Sequence, residues 1–181
     1  MKIFRIAVSV SLLSAGFLVV GFAASAHAQG ATITDDQINR ISTSCVGAKN
    51  TLNQLHTSDA LLRVNRGQMY ESMTTKLMSR FNSRAGGSRV SADDLNLSSQ
   101  NYALSLASFR ADYQQYEQQL SLAIGIDCNK EPVAFYDAVA LARTKRATVH
   151  NDVVALTQNI DAYTKSFDAF RTAFKNTPGT N

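Results

Sequence analysis

The chain has 181 residues, with 18 basic and 14 acidic side chains, two cysteines, two prolines and no tryptophan. That length makes one domain. The +4 excess drops to +2 once Lys2 and Arg5 are set aside with the N-terminal segment, a balance that gives no reason to expect nucleic acid as a partner.

Lys2 and Arg5 precede an apolar run from Ile6 to Ala24, followed by Ser25-Ala26-His27-Ala28. Charge, apolar stretch and small residues at Ala26 and Ala28 are the pattern of a secretory signal, so residues 1–28 are expected to be removed after Ala28. Because the run is near the length of a bilayer span, a retained anchor is the alternative. The cleavage triplet favours removal. Residues 29–33 are expected to be a short linker and 34–175 a helical domain. No second apolar run of that length follows, so no membrane span is expected after signal removal.

Thr34-Asp35-Asp36-Gln37 has the form of a capping box, which predicts that a first helix begins there and runs to about residue 84. Its predicted seam is Ile38, Ile41, Cys45, Ala48, Leu52 and Leu55, then Leu62, Met69, Met73, Leu77 and Phe81. Thr57-Ser58-Asp59 and Gly67 are points where it could break. The chain turns at Ala85-Gly86-Gly87-Ser88.

Ser91-Ala92-Asp93-Asp94 is a second cap, opening a helix over about 92–124. Its seam reads Leu95, Ser99, Tyr102, Leu106, Phe109, Tyr113, Tyr116, Leu120 and Ala123. A third helix opens at Glu131-Pro132, with proline in the first turn where its missing N–H costs nothing, and extends to about residue 175. Its seam steps through Phe135, Val139, Ala142, Arg146, Val149, Val153, Leu156, Ile160, Tyr163, Phe167, Phe170 and Phe174 at heptad spacing. Such a seam is expected to be buried against partner helices. The tail 176–181 is expected to be disordered.

These lengths predict an all-α fold, an elongated up-down-up three-helix bundle with coiled-coil-like heptad seams, about 60 Å long at the rise of an α-helix. Folding the second helix back from the Gly86-Gly87 turn brings Cys45 and Cys128 level to within about two residues, or about 3 Å of rise. A Cys45–Cys128 disulfide is therefore expected, as suits an even cysteine count in an exported chain. The same register sets Arg146, the one charge in the third seam, level with Asp59 and Tyr113. These three are expected to form a buried polar layer that fixes register and offers a possible ligand contact.

No zinc, haem, phosphate-loop or serine-nucleophile motif occurs. His56 and His150 fall about 12 Å apart in height, too far for one metal. No cofactor, no metal and no catalytic residue is expected. Arg80, Arg84, Arg89, Arg171 and Lys175 cluster at the Gly86-Gly87 end as a possible basic tip for anionic polymer or lipid headgroups, offset by nearby Asp93, Asp94 and Asp168. Arg63, Arg66, Arg143, Lys145 and Arg146 make a belt at mid-height, relieved by Asp59, Glu71, Asp137 and Asp152 and expected to be spent in exposed interhelical ion pairs.

The segments LLRVNRGQMYESMTTKLMSRFNSR (61–84) and IDCNKEPVAFYDAVALARTKRATVH (126–150) resemble uncharacterised exported helical proteins of candidate-phylum bacteria of the Saccharibacteria type. The resemblance implies a cell-envelope or secreted location and brings no known activity. Two readings follow. The first is a non-enzymatic structural or interaction module, with another protein or itself as partner at the cell envelope. The alternative is an extracytoplasmic binding protein or chaperone holding an apolar or anionic ligand in a bundle groove. A closed seam favours the first; an open groove or a mid-bundle cavity favours the second.

Overall fold

The computed structural model describes residues 33–178. The expected signal segment 1–28, linker residues 29–32 and the last three residues of the expected tail lie outside them. Every regular element among the described residues is helical: α1 (Asp35–Thr43), α2 (Cys45–Ser72), a π-helical turn (Met73–Met78), α3 (Ser79–Ala85), α4 (Asp93–Gly125) and α5 (Pro132–Asn176). None is long and apolar enough to cross a membrane.

The first turn of α1 is closed by its own sequence. The Thr34 hydroxyl accepts from the Gln37 N–H at 3.3 Å, and the Gln37 side chain accepts from the Thr34 N–H at 2.9 Å. Together these bonds satisfy two helix-end donors reciprocally. α4 starts similarly: the Ser91 hydroxyl accepts from the Asp93 N–H at 3.2 Å and donates to the Asp93 carboxylate at 2.8 Å.

The helix continues through Ser58 and Gly67. Its regularity is interrupted elsewhere, at Ser44 and over Met73–Met78. Ser44 directly precedes Cys45, which is bonded to Cys128 with a Cα–Cα distance of 5.6 Å across a sequence separation of 83. The regular helix is interrupted there, at the residue before the cross-link. The π turn inserts extra rotation without ending the helix. The Tyr70 carbonyl just before it accepts from the buried Tyr102 hydroxyl at 3.1 Å.

These interruptions alter which side chains are buried. Tyr70 and Met78 are in the core, whereas Met69 and Leu77, the expected seam residues, are 52% and 61% exposed. Leu62 is exposed as well, because the inward position in that stretch is taken by Asp59. The heptad reading fails there because a straight α-helix drifts about 20° per heptad and the π turn then rotates the phase again. In α4 the reading is off at one position: Ser98, not Ser99, faces inward, its hydroxyl 3.3 Å from that of Ser166.

Packing centres on α4. It lies along α5 and also meets α2, the π turn and α3, while α1 meets α5. No Cα of α2 comes within 8 Å of a Cα of α5. The α5 seam is accordingly only partly covered: Phe135, Ala142 and Leu156 are buried, but Val149, Val153, Ile160, Tyr163 and Phe167 are half-buried. The expectation of a fully buried seam is thus corrected, because α5 has one continuous partner rather than two.

Both ends are tied. At one, the disulfide packs with Phe135, Ile41 and Val139, and the Lys49 ammonium donates to the Ile126 carbonyl at 3.0 Å. At the other, Phe81 sits 4.8 Å from Phe167 between ring centroids. There the Asn82 amide donates to the Leu95 carbonyl at 3.1 Å and accepts from the Tyr163 hydroxyl at 2.8 Å, linking α3, α4 and α5. At the end of α5 the Thr177 hydroxyl donates to the Ala173 carbonyl at 2.9 Å, so helical bonding reaches into the stretch expected to be tail.

Replacing both cysteines by alanine is expected to lower unfolding free energy by about 2–4 kcal/mol, since the bond closes a long loop in the unfolded chain. Urea denaturation followed by circular dichroism measures it; an unchanged midpoint would mean the helix ends are held without the cross-link.

Candidate functional site

Where α2 and α5 stand apart, a cleft of about 430 Å³ opens over α4. Its floor is Phe109, Tyr113 and Tyr116, three aromatic residues of the α4 seam. Asp59, Leu62, Arg63 and Arg66 of α2 form one wall. The α5 wall carries Arg143, Arg146 and His150 among the small and branched side chains of Ala147, Val149 and Val153. Four guanidiniums therefore surround an aromatic floor that holds one carboxylate.

That carboxylate, Asp59, is fully engaged. Arg146 Nε donates to Asp59 Oδ2 at 3.0 Å and Nη2 donates to Oδ1 at 3.3 Å, a two-point contact across the cleft. The Tyr116 hydroxyl donates to Oδ2 at 2.7 Å. Burial works against ionisation of Asp59, but the hydrogen bonds from Arg146 and Tyr116 and the Arg146 charge outweigh it and hold the carboxyl below its ordinary 3.8. Burial, and then the bond to Asp59, push the Tyr116 phenol well up. Tyr113 is pushed up to about 12 by burial and by the Glu117 and Asp59 carboxylates. Both phenols therefore stay protonated at neutral pH.

The polar layer at this height thus departs twice from the expected buried layer of Asp59, Tyr113 and Arg146: the Arg146 side chain is half exposed, because α5 stands off from α2, and one member is exchanged. Tyr116, one helical turn along α4, supplies the hydroxyl, while Tyr113 turns its ring to Arg63, whose guanidinium carbon lies 5.2 Å from the ring centroid. Residue height alone cannot separate two tyrosines on one face of a helix, since positions three apart are neighbours.

The expected interhelical ion pairing of the belt also needs correction. Besides Arg146 on Asp59, Lys145 donates to Gln115 at 3.1 Å, and Glu71 pairs with Arg110 of α4 instead of with the belt. Arg66 and Arg143 have no hydrogen-bond or ion-pair partner among the described residues. The width of the cleft, which the heptad pattern does not encode, leaves them unpaired.

Below the α5 wall, Asp152 and Asp112 bring two carboxyls together between α5 and α4. Burial, then the charge of Asp112 and a hydrogen bond with it, raise Asp152 to about 6. Its Oδ2 is buried without a partner. Sequence reasoning missed this pair because it treated Asp152 as relief for the basic belt.

At the tip, Arg84 and Arg171 flank a smaller notch of about 280 Å³ lined by Phe81, Phe167, Phe170 and Phe174. Arg171 is paired with Asp168 at 3.0 Å. Arg80, Arg89 and Lys175 are exposed and do not line the notch. Among the described residues no three His, Cys, Asp or Glu side chains converge as a metal site.

Comparison with protein-family models, with curated proteins and with solved structures finds no match. The geometry of the chain itself is what bears on function.

Two substitutions at the bridge are expected to differ. The Asp59 side chain is 11% exposed and that of Arg146 52%, so losing Arg146 strands a buried charge, whereas losing Asp59 frees a cation that reaches water. Arg146→Met is expected to cost about 2–3 kcal/mol and Asp59→Asn about 1 kcal/mol. Equal costs in urea unfolding would remove this asymmetry. For Asp152 the sign is reversed from that of a paired carboxylate. Its folded pKa lies above the unfolded value, so stability is lost as pH rises from about 4 to 6. Asp152→Asn is expected to be more stable than the parent by about 1–2 kcal/mol at pH 7.5 and to converge with it below pH 4; parallel pH profiles would refute this.

Proposed function

We propose that the chain is an exported, non-enzymatic binding protein. In this reading residues 34–175 form an up-down-up three-helix bundle, its first helix running through α1, α2, the π turn and α3, with a coiled-coil-like seam strongest along α4. The ligand is an anion held in the cleft between α2 and α5. Three guanidiniums beyond the one that Asp59 neutralises, set over an apolar floor, carry the reading. The three are exposed, so the cleft is open to solutes, and guanidinium is the group best suited to carboxylate or phosphate. The cleft volume is within the range of small-molecule sites.

Several features support the remaining parts. The N-terminal pattern of Lys2, Arg5 and the apolar run accords with export and with the resemblance to exported envelope proteins. A disulfide between Cys45 and Cys128 suits an oxidising compartment. The polar groups of the cleft are poorly matched to catalysis, since Asp59 is held ionised by two donors and the tyrosine pKa values are raised, where a nucleophile or base needs the opposite.

A second reading, docking to another macromolecule or to a second copy, has the tip in its favour: Phe174 is 37% exposed beside Arg84 and Arg171.

Thermal melting of the purified protein against a panel of small carboxylates, phosphates and sulfates tests the main reading. At least one is expected to raise the melting temperature of the parent and not of Arg66→Gln/Arg143→Gln. If every stabilising anion acts equally on both proteins, the cleft is not the site.

A further inference from the structure

We propose that the cleft takes an acidic amphipathic helix of another protein, laid along the gap between α2 and α5 with its apolar face down and its carboxylates spaced along the two walls. This rests on the anion-cleft reading and names the ligand class as a peptide segment.

The spacing of charge along the cleft carries the proposal. The Asp59–Arg146 and Phe81–Phe167 contacts fix the register of α5 against the helix that runs from α2 to α3. In that register Arg143 stands level with about residue 56, so it lies about ten residues, or about 15 Å of helix rise, from Arg66. Both are exposed, and neither has a hydrogen-bond or ion-pair partner among the described residues. One small anion reaches only one of them at a time. Between them Arg63 lies over the Tyr113 ring, and Arg146 keeps part of its fork of donors beyond its two bonds to Asp59. Asp59 is the one carboxylate among the residues that line the cleft. A row of cations with a single counter-charge is complementary to a chain that presents carboxylates in series. A second copy of this chain, itself of net positive charge, is a poorer match.

Between the charges the surface is apolar. Phe109 and Tyr113 lie in the floor, Val149 and Val153 are half-buried on α5, and Leu62 of α2 is 46% exposed. Met69, two turns beyond Leu62 on the same helical face, is 52% exposed. An extended peptide would set unpaired N–H and C=O groups against this surface, whose own backbone is spent inside three helices. A helix satisfies its backbone internally and offers an apolar face. At a diameter of about 10–12 Å with side chains, a helix rests on the rims of the cleft; its apolar side chains then enter the volume of about 430 Å³. Carboxylates about ten residues apart on such a helix differ by about 80° in direction. They lean to opposite flanks of one face, as Arg66 and Arg143 stand on opposite walls.

Fluorescence polarisation with the purified full chain tests this, using labelled, end-blocked, alanine-based peptides of about 16 residues, long enough to form helix. The lead peptide carries leucines at three- and four-residue steps, flanked by two glutamates about ten residues apart. Four comparators change both glutamates to glutamine, move them to adjacent positions, change the leucines to serine, or place a proline at the centre. The lead peptide is expected to bind about tenfold more tightly than each comparator. Arg66→Gln/Arg143→Gln, which changes exposed side chains, is expected to weaken it about tenfold with an unchanged helical circular-dichroism spectrum. Equal binding by any comparator would overturn the helix with spaced charges. If no peptide binds but a small carboxylate or phosphate stabilises the parent and not the double variant, the peptide class fails and the anion cleft stands. Peptide binding that the double variant retains in full would overturn both readings, as would no binding of any peptide or small anion. A dimer in sedimentation equilibrium that the lead peptide dissociates would make a second copy the occupant and overturn the proposal.

Discussion

Arg146 reaches from α5 to Asp59 on α2 at the height where those two helices have separated, and the Tyr116 hydroxyl of α4 completes the junction. Three helices meet through one carboxylate. Without it the middle of α2 would face α5 across open space, since no Cα of one helix comes within 8 Å of the other. The aromatic residues of α4 keep both neighbours in place by burial, but burial is non-directional. The carboxylate supplies direction, because its lone pairs are filled at fixed angles from two other helices. Its net worth is not large by the standard of hydrophobic burial, for desolvation offsets much of the attraction. What it contributes is one arrangement among several that the apolar seams would tolerate.

The cleft and the bridge are consequences of the same spacing. A helix pair close enough to bury the α5 seam fully would have left no room for four guanidiniums. Conversely, an apolar residue at Asp59 would leave Arg146 with no reason to cross. Charge is therefore concentrated where packing is thinnest. The aromatic residues of α4 lie beneath it: Tyr113 and Tyr116 cluster with Leu120 under the bridge, and Phe109 joins Tyr70, Met78, Tyr102, Leu106 and Leu156 on one side of it. Asp152 and Asp112 lie at the margin, where burial and the neighbouring carboxylate raise the Asp152 pKa and its Oδ2 is buried without a partner.

Much of this was legible in the residues. α4 is the clearest case: from Tyr102 to Ala123 its inward positions follow the three- and four-residue steps without a slip, because it is enclosed on several sides and has no interruption. The level of Cys45 with Cys128 follows from helix lengths alone, since rise per residue is nearly constant. What could not be read was phase within α2. A heptad pattern assumes each apolar residue faces the partner, yet Leu61 and Met69 are exposed, Leu62 is only half covered at the cleft wall and Asp59 faces in. The π turn gave no signal, as Met-Thr-Thr-Lys-Leu-Met contains neither proline nor glycine. The candidate site was half legible. Axial register brings Asp59 and Arg146 together, but choosing Tyr116 over Tyr113 requires the angular position of α4, and the unpaired state of Arg66 and Arg143 requires the distance between two helices.

The two tied ends have a mechanical meaning. A covalent clamp holds one end of the α2–α5 pair, and the Phe81–Phe167 contact with the Asn82 bonds holds the other. Between them, among the described residues, the Asp59–Arg146 pair is the one hydrogen-bonded rung from α2 to α5. A beam fixed at both ends cannot slide along its neighbour or swing open like a jaw; it can only bow at midspan. Occupancy of the cleft would therefore be felt as tension on that rung, and the π turn, the least regular part of the span, is where the bend would be absorbed.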